Sequence, residues 1–337
     1  MENSFLYALK AFAAFAVVYI HYGWPAPVGT PIKALAEFAV PIFFMISGYY
    51  VFDKDNAGVK KSIKKTFLLF LAANIVYFVF NLFTSLIGAG EGVTANVSRL
   101  TDLKKWWELL AFNKPMFPYT IHLWYLSALL YCYIFIFLIN KTRLRKFIYI
   151  LIPVLPFVSL IAGNFMTDLG ITNQAVLRED WIVEGMPFFL LGDLIHKYQV
   201  AILEKAKKMP AILVLIMIFG AALKLLEIYV FSIPFELCVG IYILVIPLFI
   251  LALLYPEKFS GSVMANIGKK YSSYIYLWHM MLLAIISGVA KKIGILEHII
   301  FGYSRPILAL PLSFVVAYIY YGSKKNFRLL FLQKKQK

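Results

Sequence analysis

The chain has 337 residues, of which 62% are hydrophobic and only 15% charged. A soluble domain carries about 45–50% apolar residues and roughly 25% charge, so a soluble globule is excluded, as are intrinsic disorder and, with only Cys132 and Cys238 available, a disulfide scaffold. Thirty-three Lys and Arg against 17 Asp and Glu give a net charge of +16, which in so apolar a chain belongs to membrane loops and not to nucleic acid.

A membrane-crossing helix needs about 20 mostly apolar residues. Ten spans are predicted by that rule, at 5–23, 34–52, 66–88, 119–140, 146–163, 182–199, 209–230, 234–255, 271–291 and 305–322. The expected fold class is an all-α polytopic membrane protein, a bundle of about ten transmembrane helices. No repeat, low-complexity tract or long linker divides 1–337, so one domain is expected. Glu2 stands where a signal peptide has its basic start and Lys10 interrupts the apolar run, so the first span is expected to be retained.

Placing a charged side chain at bilayer depth costs at least ~2.5–3.5 kcal/mol, so ionisable groups there are functional candidates. The first span holds Lys10 and His21. Eleven helical steps return to nearly the same face about 16 Å further on, so one stripe carries an ammonium and an imidazole. The alternative is a snorkelling lysine and an interfacial histidine beside Trp24. In the second span Glu37 and Pro41 interrupt the first half, and Ser47-Gly48 suits close helix approach with a hydrogen bond across the gap. The cluster Lys60-Lys61-Ser62-Ile63-Lys64-Lys65 follows. It reads either as cytoplasmic retention or as a phosphate site in which ammonium groups act as point charges.

Asn74 and Asn81 share a face of the third span, as interhelical hydrogen bonding would use them. The insert at 89–118, with Trp106-Trp107 between charges, reads as an amphipathic helix on the outer surface or as a connecting loop. His122 stands at the outer end of the fourth span, and Pro153 and Pro156 kink the fifth. Glu184 opens the sixth from outside, with Asp193 and His196 near its inner end. His279 falls near mid-membrane, where it cannot easily snorkel. No HExxH or CxxC spacing is present, so no metal is expected. There is no nucleotide-binding fingerprint and no nucleophile elbow.

Twenty-two of the 33 basic residues lie in 53–65, 141–146, 197–208, 256–270 and the tail from 323. With ten spans these segments fall on one face together with both termini, and that face is the cytoplasm. Trp24, Trp106, Trp107, Trp124 and Trp181 fall at the opposite interface, as an aromatic belt does.

Together these residues resemble the membrane-bound acyltransferase-3 family, which includes surface-polysaccharide O-acetyltransferases. The resemblance rests on Lys10 followed after ten residues by His21, and on Pro41, Phe43, Phe44, Ser47 and Gly48. It also rests on the basic pair Lys61 and Lys64, on His122 to Leu126, on Glu184 to Gly192, and on Tyr276 to His279. It extends over nearly the whole chain, with its most specific motifs in residues 1–65. Lysines stand where the family more often has arginines, and lysine lacks the fork that grips phosphate bidentately. The segments around 122–126 and 184–192 are also similar to the membrane half of vancomycin-resistance serine racemases. The racemase half is expected to be absent, because the sequence stops at Lys337.

The resemblance implies an integral O-acyltransferase of the plasma membrane. Acetyl-CoA or another acyl-CoA would be the donor substrate, with no permanently bound cofactor, and its phosphates would be held by Lys61, Lys64 and Lys10. Neutral His21 would act as general base on a hydroxyl of a cell-envelope glycan or lipid-linked sugar, with Lys10 of the same stripe as the second catalytic residue and His122, Glu184, His279 and Ser47 in supporting roles. Beyond these substrates the partners expected are membrane lipids. The alternative is a carrier or flippase for a small polar substrate such as serine.

Overall fold

The structure is a computed structural model that describes residues 2–140, 142–157, 181–230 and 239–334. The longer helices of the first half are α1 (Ser4–Tyr22), α2 (Gly29–Ala36), α3 (Ala39–Tyr49), α4 (Asn56–Leu86), α5 (Val93–Thr101), α6 (Leu103–Phe112) and α7 (Trp124–Ile139). The second half contributes α8 (Met186–Lys197), α9 (Gln199–Lys208), α10 (Pro210–Tyr229), α11 (Val239–Leu254), α12 (Val263–Lys270), α13 (Ser272–Lys292) and α14 (Ile299–Lys334). The described residues contain no strand, as the expected all-α class requires.

Among the described residues seven stretches are long and apolar enough to cross a membrane: Ser4–Tyr22, Gly29–Tyr49, Asn56–Leu86, Ile121–Ile139, Pro210–Tyr229, Ser272–Lys292 and Ile299–Ser323. The other three predicted spans differ. The fifth is described only to residue 157, as 3₁₀ turns at Arg143–Lys146 and Ile148–Ile150 followed by helix over 151–157. The sixth is a π-helical turn, Trp181–Gly185, continuing into the 12-residue α8. The eighth is seen as the 16-residue α11; its predicted start, with Cys238, lies outside the described residues.

The chain divides into two compact units, Met1–Ala39 with Leu251–Lys337, and Val40–Ile250. The first is organised around α1. Asn3 starts that helix, its Oδ1 accepting from the Leu6 N–H at 2.8 Å while its Nδ2 donates to the Ala252 carbonyl at 2.9 Å. Ala8, Ala11, Ala13 and Ala14 are buried along α1, and small residues let neighbouring backbones approach. The approach is closest at Gly268 of α12, where an added Cβ would stand 1.6 Å from the Tyr7 carbonyl oxygen.

In the second unit the backbones of α3 and α8 touch. A Cβ on Gly48 would lie 1.8 Å from the Phe189 carbonyl oxygen, and one on Gly192 would lie 2.0 Å from that of Met45. The Ser47-Gly48 expectation of close approach is met here, although Ser47 Oγ itself donates within α3, to the Phe43 carbonyl at 2.8 Å. Gly220 and Gly240 bring α10 and α11 together in the same way. Asn81 donates both within α4, to Tyr77 O, and across to Pro118 O at 3.0 Å, whereas Asn74 donates to Phe70 O of its own helix.

The 89–118 insert is two short helices, α5 and α6, instead of one. Asp102 divides them: its backbone is extended, and its carboxylate accepts from the N–H groups of Lys104 and Lys105, an N-cap for the second helix. Trp107, Leu103 and Leu110 are exposed on α6, as an amphipathic surface helix would leave them.

Candidate functional site

Helix α1 carries Lys10 and His21, both half-buried, on one stripe. The helix stops just beyond His21 because Gly23 is extended and sits against Tyr19, where a Cβ would meet the ring and the carbonyl at 2.8 Å. Three contacts hold this end in place. The Tyr22 hydroxyl lies 2.9 Å from Ser287 Oγ of α13. Arg305 of α14 donates from Nη2 to the Gly23 carbonyl at 3.0 Å and lays its guanidinium over the Tyr22 ring. Trp24 Nε1 donates to the Tyr303 carbonyl at 2.9 Å.

Fixing this end of α1 brings His21 against His279 of α13. The two imidazoles stack with centroids 5.4 Å apart and planes inclined by 29°. His279 is fully buried, and its Nδ1 lies 2.7 Å from the Tyr276 carbonyl oxygen. A carbonyl can only accept, so Nδ1 carries the proton of the neutral ring and Nε2 is its basic nitrogen. Of the residues singled out in the sequence, this first unit therefore gathers Lys10, His21 and His279, and brings the two histidines into contact.

The others belong to the second unit. His122 is buried on the 3₁₀ turn Ile121–Leu123, with its ring edge-on to Tyr77 at 5.4 Å. Glu184 lies in the π-helical turn, within electrostatic reach of Tyr242. Ser47 engages the phenols of Tyr125 and Tyr133. Lys61 and Lys64 are exposed near the start of α4. Beside them Lys54 donates to Ser62 Oγ at 2.8 Å, and burial, with the neighbouring Lys65, holds its ammonium below the usual lysine range. Among the described residues no three of His, Cys, Asp and Glu come together as a metal site would require.

Several charges buried wholly or in part were not singled out beforehand. Arg305 is one, detectable as an arginine at the edge of the last predicted span. Lys224 and Glu227 are two more, charges inside the predicted span 209–230. Lys224 is buried, and Glu227 caps α11 by accepting from the N–H groups of Val239 and Gly240 at 2.8 and 2.9 Å. Asp193 and His196 have partners that no local pattern reveals. Asp193 accepts from Arg145 Nη2 at 2.7 and 3.0 Å and from the Tyr149 hydroxyl at 2.8 Å, while His196 Nε2 meets Asp53 at 2.9 Å.

A serine/alanine racemase of Enterococcus gallinarum is 24% identical over 357 aligned residues, and an amino-acid racemase of Enterococcus faecalis is 25% identical over 353. Each alignment covers 95% of this chain but 46% of the relative, so the chain spans about half the length of these curated relatives. No solved structure matches it. The acyltransferase domain family matches residues 3–322, a stretch that holds the two stacked histidines and every other candidate residue, and the chain belongs to that acyltransferase-3 family.

Proposed function

We propose that the protein is an integral O-acyltransferase of the plasma membrane, with both termini cytoplasmic, that moves an acyl group, acetyl in the first instance, from cytoplasmic acyl-CoA to a hydroxyl of an extracytoplasmic envelope glycan or lipid-linked sugar. The observation that carries the proposal is the contact of His21 with buried His279, on the stripe that begins at Lys10, inside a chain of the acyltransferase-3 family. His21 takes the proton of the acceptor hydroxyl as its oxygen attacks the thioester carbonyl. The C–S bond breaks, and the departing thiolate of CoA is protonated. A general base of this kind contributes ~10²–10⁴-fold. His279, with its Nδ1 committed to Tyr276, orients the His21 ring. Lys61, Lys64 and Lys10 neutralise the donor's phosphates.

The test is release or transfer of label from radiolabelled acetyl-CoA by the purified protein in detergent, with envelope glycans supplied. His21→Ala is expected to lower turnover at least ~10²-fold; full turnover in that variant would overturn the role of His21. A second reading, a carrier for serine or a similar small polar substrate, is favoured by the names of the two racemase relatives. Uptake of labelled serine into proteoliposomes, with no turnover of acetyl-CoA, would establish it.

A further inference from the structure

The second unit contains an open cleft of about 540 Å³ lined by Phe52, Asn140, Arg145, Lys146, Tyr149 and Lys197. Its walls come from the end of α7, the 3₁₀ turns after it, the end of α8 and the segment after α3. The volume is within the ~300–1,000 Å³ of ordinary ligand sites.

Three of the six lining residues are cations, and the carboxylates nearby do not neutralise them all. Asp193 is committed to Arg145 and Tyr149, and Asp53 to His196. Lys146 and Lys197 have no carboxylate partner among the described residues. Lys146 lies over the Phe147 ring at 4.9 Å, and Lys197 over Tyr149 at 4.9 Å and Tyr198 at 5.1 Å. Arg145 is held by Asp193 through Nη2 alone; its Nη1 is buried and finds no acceptor among the described residues. A buried guanidinium N–H without an acceptor costs free energy that an incoming oxyanion would recover. Leu144, Phe147 and Ile150 are exposed on the same turns, so the cationic cleft opens beside an apolar surface.

We propose that this cleft binds a phosphate ester of net negative charge, its oxyanion accepting from Arg145 Nη1 and neutralised by Lys146 and Lys197. Two sources offer that chemistry: the phosphodiester of an anionic lipid, whose acyl chains would lie along Leu144, Phe147 and Ile150, and the phosphates of coenzyme A. Basic pockets between membrane helices hold anionic headgroups in this manner. The proposal does not rest on acyl transfer, and its test reads binding alone.

The whole protein in detergent would be titrated calorimetrically with short-chain phosphatidylglycerol and with coenzyme A, taking phosphatidylcholine of equal chain length as the zwitterionic control. The comparison is Lys146→Gln combined with Lys197→Gln, which leaves the Arg145–Asp193 pair intact; an unchanged melting temperature without ligand verifies its fold. At least one phosphate ester is expected to bind the wild type, and to bind the double variant roughly tenfold or more weakly. Binding of the lipid alone assigns the cleft to a headgroup, and binding of coenzyme A alone assigns it to the donor. Binding of neither, equal binding by the double variant, or phosphatidylcholine binding as well as phosphatidylglycerol would overturn the proposal.

Discussion

At His21 and His279 the cost of burying imidazoles at membrane depth made both residues legible in the sequence. Their contact was not, because it depends on how the end of α1 is tied to α13 through Tyr22 and Ser287 and to α14 through Arg305. Asp193 shows the same limit: its position near the end of a span was readable, but its partner Arg145 lies 48 residues away in a segment whose charges read only as loop charges. Under the proposed function, His279, stacked on His21, is a positioning residue for it. Since a misplacement of about 1 Å can cost ~10²-fold, His279→Ala is expected to lower kcat for acyl transfer roughly tenfold to a hundredfold with KM for acetyl-CoA unchanged. Steady-state kinetics against donor concentration separate this from a merely structural role. A parallel rise in KM and fall in melting temperature would mean that the residue only supports the fold.

Between elements the second unit depends on backbone contact, and glycine is the residue that permits it. A Cβ on Gly192 would come within 2.0 Å of the Met45 carbonyl oxygen, so α8 and α3 must separate to admit one. Forcing extra volume into a packed contact costs about 1–3 kcal/mol. Gly192→Ala is therefore expected to lower the melting temperature in detergent. Gly288 in α13 is the matched control: nothing lies within 4 Å of its added Cβ, and Ala is better than Gly in a helix interior by roughly 0.5–1 kcal/mol. Gly288→Ala is expected to leave the melting temperature unchanged or raise it. Equal losses in the two variants would refute the contact argument. Gly48 and Gly192 were visible in their motifs, whereas Gly268 was not, since a lone glycine in a polar stretch reads as a turn. Asp102 escaped notice for a related reason, as one charge among several beside Trp106-Trp107 until its carboxylate is seen to cap α6.

Over the whole molecule, hydropathy located seven stretches of spanning length among the described residues, and the sixth and eighth predicted spans are described only in part, as the π-helical turn with α8 and as α11. The sixth carries a π-helical turn, and irregular backbone at membrane depth is tolerated where protein covers it, as the burial of Phe188 to Asp193 beside that turn provides. The charge pattern was more informative. Within the second unit, Lys60 reaches the Phe137 ring near the end of α7, His196 meets Asp53, and Arg145 meets Asp193. The basic segment 53–65, Arg145 and the end of α8 therefore lie at one end of that unit, and the proposed orientation puts that end on the cytoplasmic side. With Cys132 and Cys238 replaced by Ala, a single cysteine at Lys61 is expected to resist a membrane-impermeant maleimide in intact cells and to react once the cells are opened. One at Ser98, exposed on α5, is expected to react in intact cells. The opposite pattern would invert the orientation and place the lysines that are to meet acyl-CoA on the face where the donor is absent, which would remove the basis for the donor-binding role of Lys61 and Lys64.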